Sequence, residues 1–465
     1  MTFISITFIV YIALINIIFY CSPLKVRNAT LLLASIAYFL MASGWGILYL
    51  LWGVFGAYTF GLAKEKKMYF AEKKIGLWIV IIALLAPLVA LKYIGISTLW
   101  VPMGISFYTL SLVSYVVDIY YEKYTPEKKF VDFFLFSAFF PHIVQGPIAR
   151  YDKIIKNIKE KHRFNYQNFT FGWQLILWGY FLKFVIADKA GIMVNTVYGN
   201  YEELSGVYIW FATFLYSIQL YADFFGCVNI AMGVAQTFGI KLQTNFNQPY
   251  FATSVRDFWR RWHMTLSNWL RDYVYIPLGG NRKGIYRQCF NILIVFIISG
   301  IWHGAGITFL CWGILHGLYQ IIEILVERYK KGNVNVGIGI KFMKILWTFI
   351  LVTFAWMLFR AESLSQFAYL LKNMFSCFNP EALLDGDAYY KMGLSRIETL
   401  PLIVGIVALG ISDLCHERGI SIRSKIAALP CPLRWGIYLL TIMFVLVLGT
   451  YGPAYSANQF IYGRF

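Results

Sequence analysis

Long stretches without a single charged side chain, each bounded by clusters of lysine and arginine, restrict what this chain can fold into. No Asp, Glu, Lys or Arg lies between Arg27 and Lys64, between Gln288 and Glu323, or between Arg434 and Arg464. Each stretch exceeds the ~20 apolar residues that a helix needs to cross a bilayer. The pattern predicts an all-α, polytopic membrane protein of roughly ten to twelve spanning helices plus re-entrant segments. Composition agrees, with 59% hydrophobic, 19% aromatic and only 14% charged residues. No low-complexity linker or soluble-looking block interrupts the pattern, so residues 1–465 are expected to form a single integral-membrane domain whose first partner is the lipid bilayer.

The formal charge of +18 suggests nucleic acid until its placement is considered. The basic residues cluster in loops between apolar runs: Lys64 to Lys74, Arg150 to Arg163, Arg256 to Arg287, Arg328 to Lys331 and Arg418 to Arg434. Clusters separated by membrane spans cannot make one phosphate-tracking face, which excludes nucleic acid as a partner. They match the positive-inside bias, so these loops read as cytoplasmic. On that parity the N-terminus and the C-terminal Tyr462-Gly-Arg-Phe465 face outside, and the Arg27–Lys64 stretch breaks into a hairpin at Ser43-Gly44-Trp45-Gly46. The apolar run from Phe133 to Ala149 has basic flanks on both sides and is too short to cross twice. Its Pro141-His142 and Gln145-Gly146-Pro147 predict a re-entrant segment. The Arg287–Arg328 stretch must also enter and return, which places His303 near its turning zone.

Two histidines sit within or beside these apolar stretches, His263 in Arg-Trp-His and His303 in Trp-His-Gly. A polar ring in lipid surroundings is costly without a partner or a job, and imidazole exchanges protons near neutral pH. Trp259, His263, Leu266 and Leu270 recur at i, i+4, i+7 and i+11, which predicts one interfacial amphipathic helix with His263 on its apolar face and Arg256, Arg260 and Arg271 at the phosphates. The turn Pro277-Leu-Gly279-Gly280-Asn281 offers backbone amides to an anion. Gly300, Gly304 and Gly306 around His303 predict close backbone approach or a bend, with space kept open beside the ring. His316, thirteen residues after His303, is expected on a different helix face, His142 in the re-entrant loop, and His162 and His416 in solvated loops. Metal binding is not expected, because no HxxxH or His-carboxylate spacing occurs. A serine nucleophile is not expected either, since Gly-x-Ser-x-Gly is absent. Asp118, Asp188 and Asp223 lie at or beside apolar runs and keep proton-coupled transport open. Seven cysteines without CxxC spacing read as packing residues.

Asp257-Phe-Trp-Arg-Arg-Trp-His263, Tyr275-Ile-Pro-Leu-Gly-Gly-Asn-Arg-Lys283 and Trp302-His303-Gly304 together resemble the membrane-bound O-acyltransferase (MBOAT) family, in its bacterial branch of alginate-type O-acetylation. Pro102-Met-Gly-Ile-Ser-Phe-Tyr108, Gln145-Gly-Pro147, Tyr221-Ala-Asp-Phe224 and Asn245-Phe-Asn-Gln-Pro249 add to the likeness. The resemblance implies acyl transfer in a bacterial plasma membrane, from a cytoplasmic thioester, acetyl-CoA as co-substrate, toward an acceptor outside. It implies His303 as the catalytic residue and His263 as a second histidine near the reaction tunnel. The reading that follows is a polysaccharide O-acetyltransferase without a tightly bound cofactor. Arg256, Arg260, Arg261, Arg282 and Lys283 would hold the donor, with Trp262, Trp302, Gly304 and Asp223 along the tunnel. The acceptor would be a serine on an exported acetyltransferase partner. D-alanyl transfer to teichoic acid and transport without covalent chemistry are the alternatives.

Overall fold

The computed structural model describes residues 1–94, 102–143, 145–204, 206–329, 337–376 and 378–451. The expected position of Tyr462–Phe465 therefore lies outside the described residues. No β-strand occurs among the described residues, and eight stretches are long and apolar enough to cross a membrane. Three shorter apolar helices, Ile6–Cys21, Ile105–Tyr120 and Phe130–Ile143, accompany them. The chain is a multi-pass helical membrane protein.

Two compact units divide the chain. The first comprises Met1–Gly179 and Cys227–Thr244. It begins with α1 (Ile6–Cys21), α2 (Arg27–Ser43), α3 (Ile47–Glu65), a short α4 (Tyr69–Glu72), α5 (Lys74–Lys92) and α6 (Ile105–Tyr120). The break between α2 and α3 falls at Gly44, whose φ of 52° is open to glycine at little cost. Next come α7 (Phe130–Ala138), α8 (Phe140–Ile143), α9 (Tyr151–Lys159) and the start of α10 (Tyr166–Phe181). α7 has nine residues and α8 four, both too short to span, as the re-entrant reading requires. Pro141 has no N–H to continue α7, which stops at Ala138. His142 is buried and its Nε2–H donates to the Phe136 carbonyl at 3.0 Å, a structural bond that satisfies this irregular backbone.

Glu127, in the loop before α7, is almost fully buried. Lys159 Nζ lies 2.5 Å from one of its oxygens, and the Tyr151 hydroxyl donates to the same oxygen at 2.6 Å. Burial pushes its carboxyl upward, but the bonds from Lys159, Tyr151 and the Lys129 backbone outweigh that and hold it below the usual carboxylate value. A depressed folded-state pKa contributes stability that is complete above the unfolded value of about 4.3 and is lost as pH falls through the folded value. Glu127→Gln is therefore expected to lower the melting temperature at pH 7, by a stability loss of about 1–3 kcal/mol. The gap to wild type should close as a thermal-melt series descends below about pH 4. A gap that stays constant with pH would show that the charge plays no part.

The second unit comprises Tyr180–Gly226 and the residues from Asn245 onward. α10 runs through a π-helical turn (Leu182–Ala187) into α11 (Asp188–Gly199), and after a turn at Tyr201 to Glu203 the chain enters α12 (Val207–Thr237). The π turn carries Lys183, which is buried between Asp223 at 2.7 Å and Asp188 at 2.9 Å. Then follow α13 (Val255–Arg261), α14 (Met264–Leu270), α15 (Ile285–His303), α16 (Ile307–Tyr329), α17 (Ile338–Arg360), α18 (Leu364–Ser376), α19 (Ala388–Lys391), α20 (Arg396–Glu417), α21 (Ile422–Ala427) and α22 (Cys431–Leu448).

α15 and α16 form an antiparallel hairpin that turns at Gly304 to Gly306, so His303 ends one helix where the chain reverses, as flank parity predicts. Their glycines do not keep space open, contrary to the expectation. A Cβ on Gly300 would lie 2.4 Å from the Phe309 carbonyl oxygen, and one on Gly313 2.3 Å from that of Phe296. A Cβ on Gly304 would strike the Phe309 ring at 2.3 Å. The glycines bring two backbones into direct contact, the small-residue packing that apolar helices use where lipid gives no hydrophobic drive.

Candidate active site

The segment expected as one amphipathic helix is two. α13 stops at Arg261 and α14 starts at Met264, because His263 adopts φ 44° and ψ 50°, the left-handed region that side chains seldom occupy. Such a conformation costs of order 1–3 kcal/mol and persists only where surrounding bonds over-determine it. Here Asn245 does so. Its carbonyl oxygen Oδ1 accepts the Thr265 amide at 3.1 Å and the Thr265 hydroxyl at 2.9 Å, and lies 3.3 Å from His263 Nδ1. The Asn245 backbone carbonyl accepts the Met264 amide at 3.0 Å, and the Asn247 amide donates to Arg261 O at 2.9 Å. An oxygen that already accepts a backbone N–H must also be the acceptor toward His263, so Nδ1 carries the hydrogen and Nε2 the lone pair of the neutral ring.

His263 is 0% and His303 2% exposed. The Trp302 ring lies 6.0 Å from the His263 ring and 4.9 Å from the His303 ring, so one indole is flanked by both imidazoles. Phe224 meets His263 edge-on at 4.8 Å, while Trp312 and Phe359 meet His303 at 5.1 and 5.3 Å. Two histidines forty residues apart in the chain thus share one aromatic chamber. Trp262 is fully buried among Phe246, Phe258 and Trp356 and supports this chamber from behind. Gly304 ends α15 beside it. Asp223 does not face the histidines as a lone carboxylate, since it binds Lys183.

A cleft of about 530 Å³ lies beside this chamber. Its exposed end carries Arg260 and Arg271, with Arg256, Asn281 and Gln288 along it; its buried end is walled by Trp259, Phe296 and Ser299. Ser299 precedes His303 by one helical turn. Of the expected donor-binding residues, Arg256 and Arg260 line the cleft, and Arg256 also pairs with Glu327 at 2.7 Å. Arg261 does not line it; it is bonded to Asp257 and Glu417. Arg282 and Lys283 are exposed in the turn after α14, away from the cleft lining. Most amides of that turn are already taken: those of Leu278, Gly279, Gly280 and Arg282 donate to the Val274, Ile276, Tyr275 and Gly279 carbonyls. Arg287 and Asn291 of α15 donate to its Leu278 and Gly280 carbonyls and fasten it.

Sequence reasoning missed Asn245 as the clamp on His263, and it placed His316 wrongly. His316 lies in the same aromatic cluster as His303, with Trp312 5.1 Å from each ring. The thirteen-residue spacing misleads because the Gly304–Gly306 turn reverses the chain between them. A usable signal was present in α16, where His316, Gln320, Glu323 and Glu327 recur at i, i+4, i+7 and i+11, a polar stripe on an otherwise apolar helix.

The chain matches the membrane-bound O-acyltransferase family over residues 128–364, a segment that contains both histidines. It is 36% identical over 303 residues to a peptidoglycan O-acetyltransferase of Helicobacter pylori, covering 59% of this chain and 56% of that protein. It is 31% identical over 415 residues to a probable alginate O-acetylase, AlgI, of Pseudomonas fluorescens, covering 86% and 80%. A teichoic acid D-alanyltransferase of Bacillus subtilis is 29% identical over 248 residues, covering 49% and 60%. The chain thus spans little more than half the length of the Helicobacter relative. It belongs to the membrane-bound O-acyltransferase family.

Proposed function

We propose that this protein transfers an acyl group, acetyl by preference, from a thioester donor on the cytoplasmic side toward a hydroxyl outside, for modification of an exported or cell-surface polysaccharide. The observation that carries the reading is the pair of buried histidines on either side of Trp302, at 6.0 and 4.9 Å, in the segment that matches the family. The donor is acetyl-CoA, its phosphates held by Arg256, Arg260 and Arg271 at the cleft. His303 accepts the proton of the attacking hydroxyl as its oxygen bonds the acyl carbon. The C–S bond breaks as the intermediate collapses, and His303 returns the proton to the leaving thiolate. His263, its Nδ1–H held by Asn245, orients the acyl group through Nε2. The hydroxyl belongs to a serine of an exported partner that passes the acyl group on to the glycan.

The test is thiol release from radiolabelled acetyl-CoA by the purified protein in detergent. Release without any carrier protein supports the reading. The Bacillus relative supports a second reading, D-alanyl transfer from a carrier-protein thioester. Release only when a charged carrier is supplied would select it. Solute flux in vesicles with no release from either donor would instead mark a transporter.

A further inference from the structure

A third histidine, unused in this scheme, joins the segment of His263 to that of His303. His316 is 0% exposed, and Trp259 Nε1–H donates to its Nδ1 at 3.2 Å. An imidazole that accepts at Nδ1 carries its hydrogen on Nε2, so this bond sets the tautomer. Its ring meets Trp312 at 5.1 Å, and Trp312 meets His303 at right angles at 5.1 Å. Trp259 itself lies in α13, four residues before His263. Below His316 on the same face of α16, Glu323 accepts the Val255 and Arg256 amides at 2.5 and 3.0 Å, and Glu327 binds the Arg256 guanidinium. One face of α16 therefore seizes α13 at both ends, by carboxylates at its start and by His316 near its finish. A phenylalanine would fill this box without a buried polar nitrogen to satisfy. What imidazole adds is an acceptor at one defined point.

We propose that His316 is a positioning residue for the transfer chemistry. It holds α13, and with it the left-handed His263, in register with the Trp312 indole against which His303 rests. The proposal rests on the acyl-transfer reading, and its test separates the two. His316→Leu removes the acceptor at similar volume, Trp259→Phe removes the donor, and His316→Asn returns an acceptor oxygen near the Nδ1 position. In thiol release, the first two are expected to lower kcat by about 10- to 100-fold with KM for acetyl-CoA little changed, since small misplacements cost that much. The double variant should be no worse than either single, and His316→Asn should recover most of the rate. Independently of activity, the ring 15N resonances of His263 and His303 should move in His316→Leu and Trp259→Phe and return in His316→Asn.

Resonances that stay fixed in a folded His316→Leu, or additive losses in the double variant, would overturn the proposal. If His316→Leu does not fold, Trp259→Phe decides by the same two readouts. A wild type that stays inactive with an acceptor hydroxyl supplied, and whose resonances still move, would sink the acyl-transfer reading and leave the positioning contact standing. An active wild type matched by His316→Leu would do the reverse.

Discussion

His303→Gln is expected to abolish thiol release from acetyl-CoA while leaving a folded protein. Glutamine approximates the imidazole's volume between Trp302, Trp312 and Phe359, yet it cannot take and return a proton near neutral pH. Loss of a positioned acid–base group lowers rate by about 10² to 10⁴. His303→Ala should lose the same activity and also some stability, because truncating a ring in a packed aromatic box leaves a cavity. The comparison is made at matched elution and with the melting temperature of each variant in hand. Release by a folded His303→Gln at the wild-type rate would remove His303 from the chemistry, even if His303→Ala were dead.

Asn245→Leu should be the most damaging substitution outside the histidines. The side chain is 1% exposed, and its oxygen serves the Thr265 amide, the Thr265 hydroxyl and the His263 ring. Leucine matches its volume but leaves three buried donors without that acceptor, at about 1–3 kcal/mol each. The sum rivals the roughly 5–15 kcal/mol by which a domain is stable. Little folded protein should survive extraction, and what survives should melt far below wild type. The strained His263 backbone would then be held in the left-handed region by the backbone bonds of Asn245 and Asn247 alone. A variant that melts like wild type would show that the clamp lies elsewhere.

The membrane class, the helical hairpin that turns near His303 and the break of the Phe133–Ala149 run into short helices were all legible from the one-dimensional pattern. Charge-free runs and basic flanks act through transfer free energies that depend on residue type and spacing alone. The two histidines were legible for the same reason, as costly polar rings in apolar surroundings. Periodicity failed at Trp262-His263, where it predicts a continuous helix. The break there comes from Asn245, eighteen residues away, outbidding the local preference with side-chain and backbone bonds. The glycines around His303 were read as both contact and space, and only the opposing α16 backbone decided for contact.

The sequence by itself thus determined where the chain enters lipid and which residues are chemically out of place there, because both are additive properties of short segments. Only the tertiary structure decided that His263, His303 and His316 belong to one aromatic chamber, that Arg256, Arg260 and Arg271 share a cleft while Arg261 turns to Glu417, and that Asn245 sets a ring's tautomer. Those are relations between helices, and hydrogen bonds and ring contacts act only over a few ångströms, so no spacing along the chain encodes them.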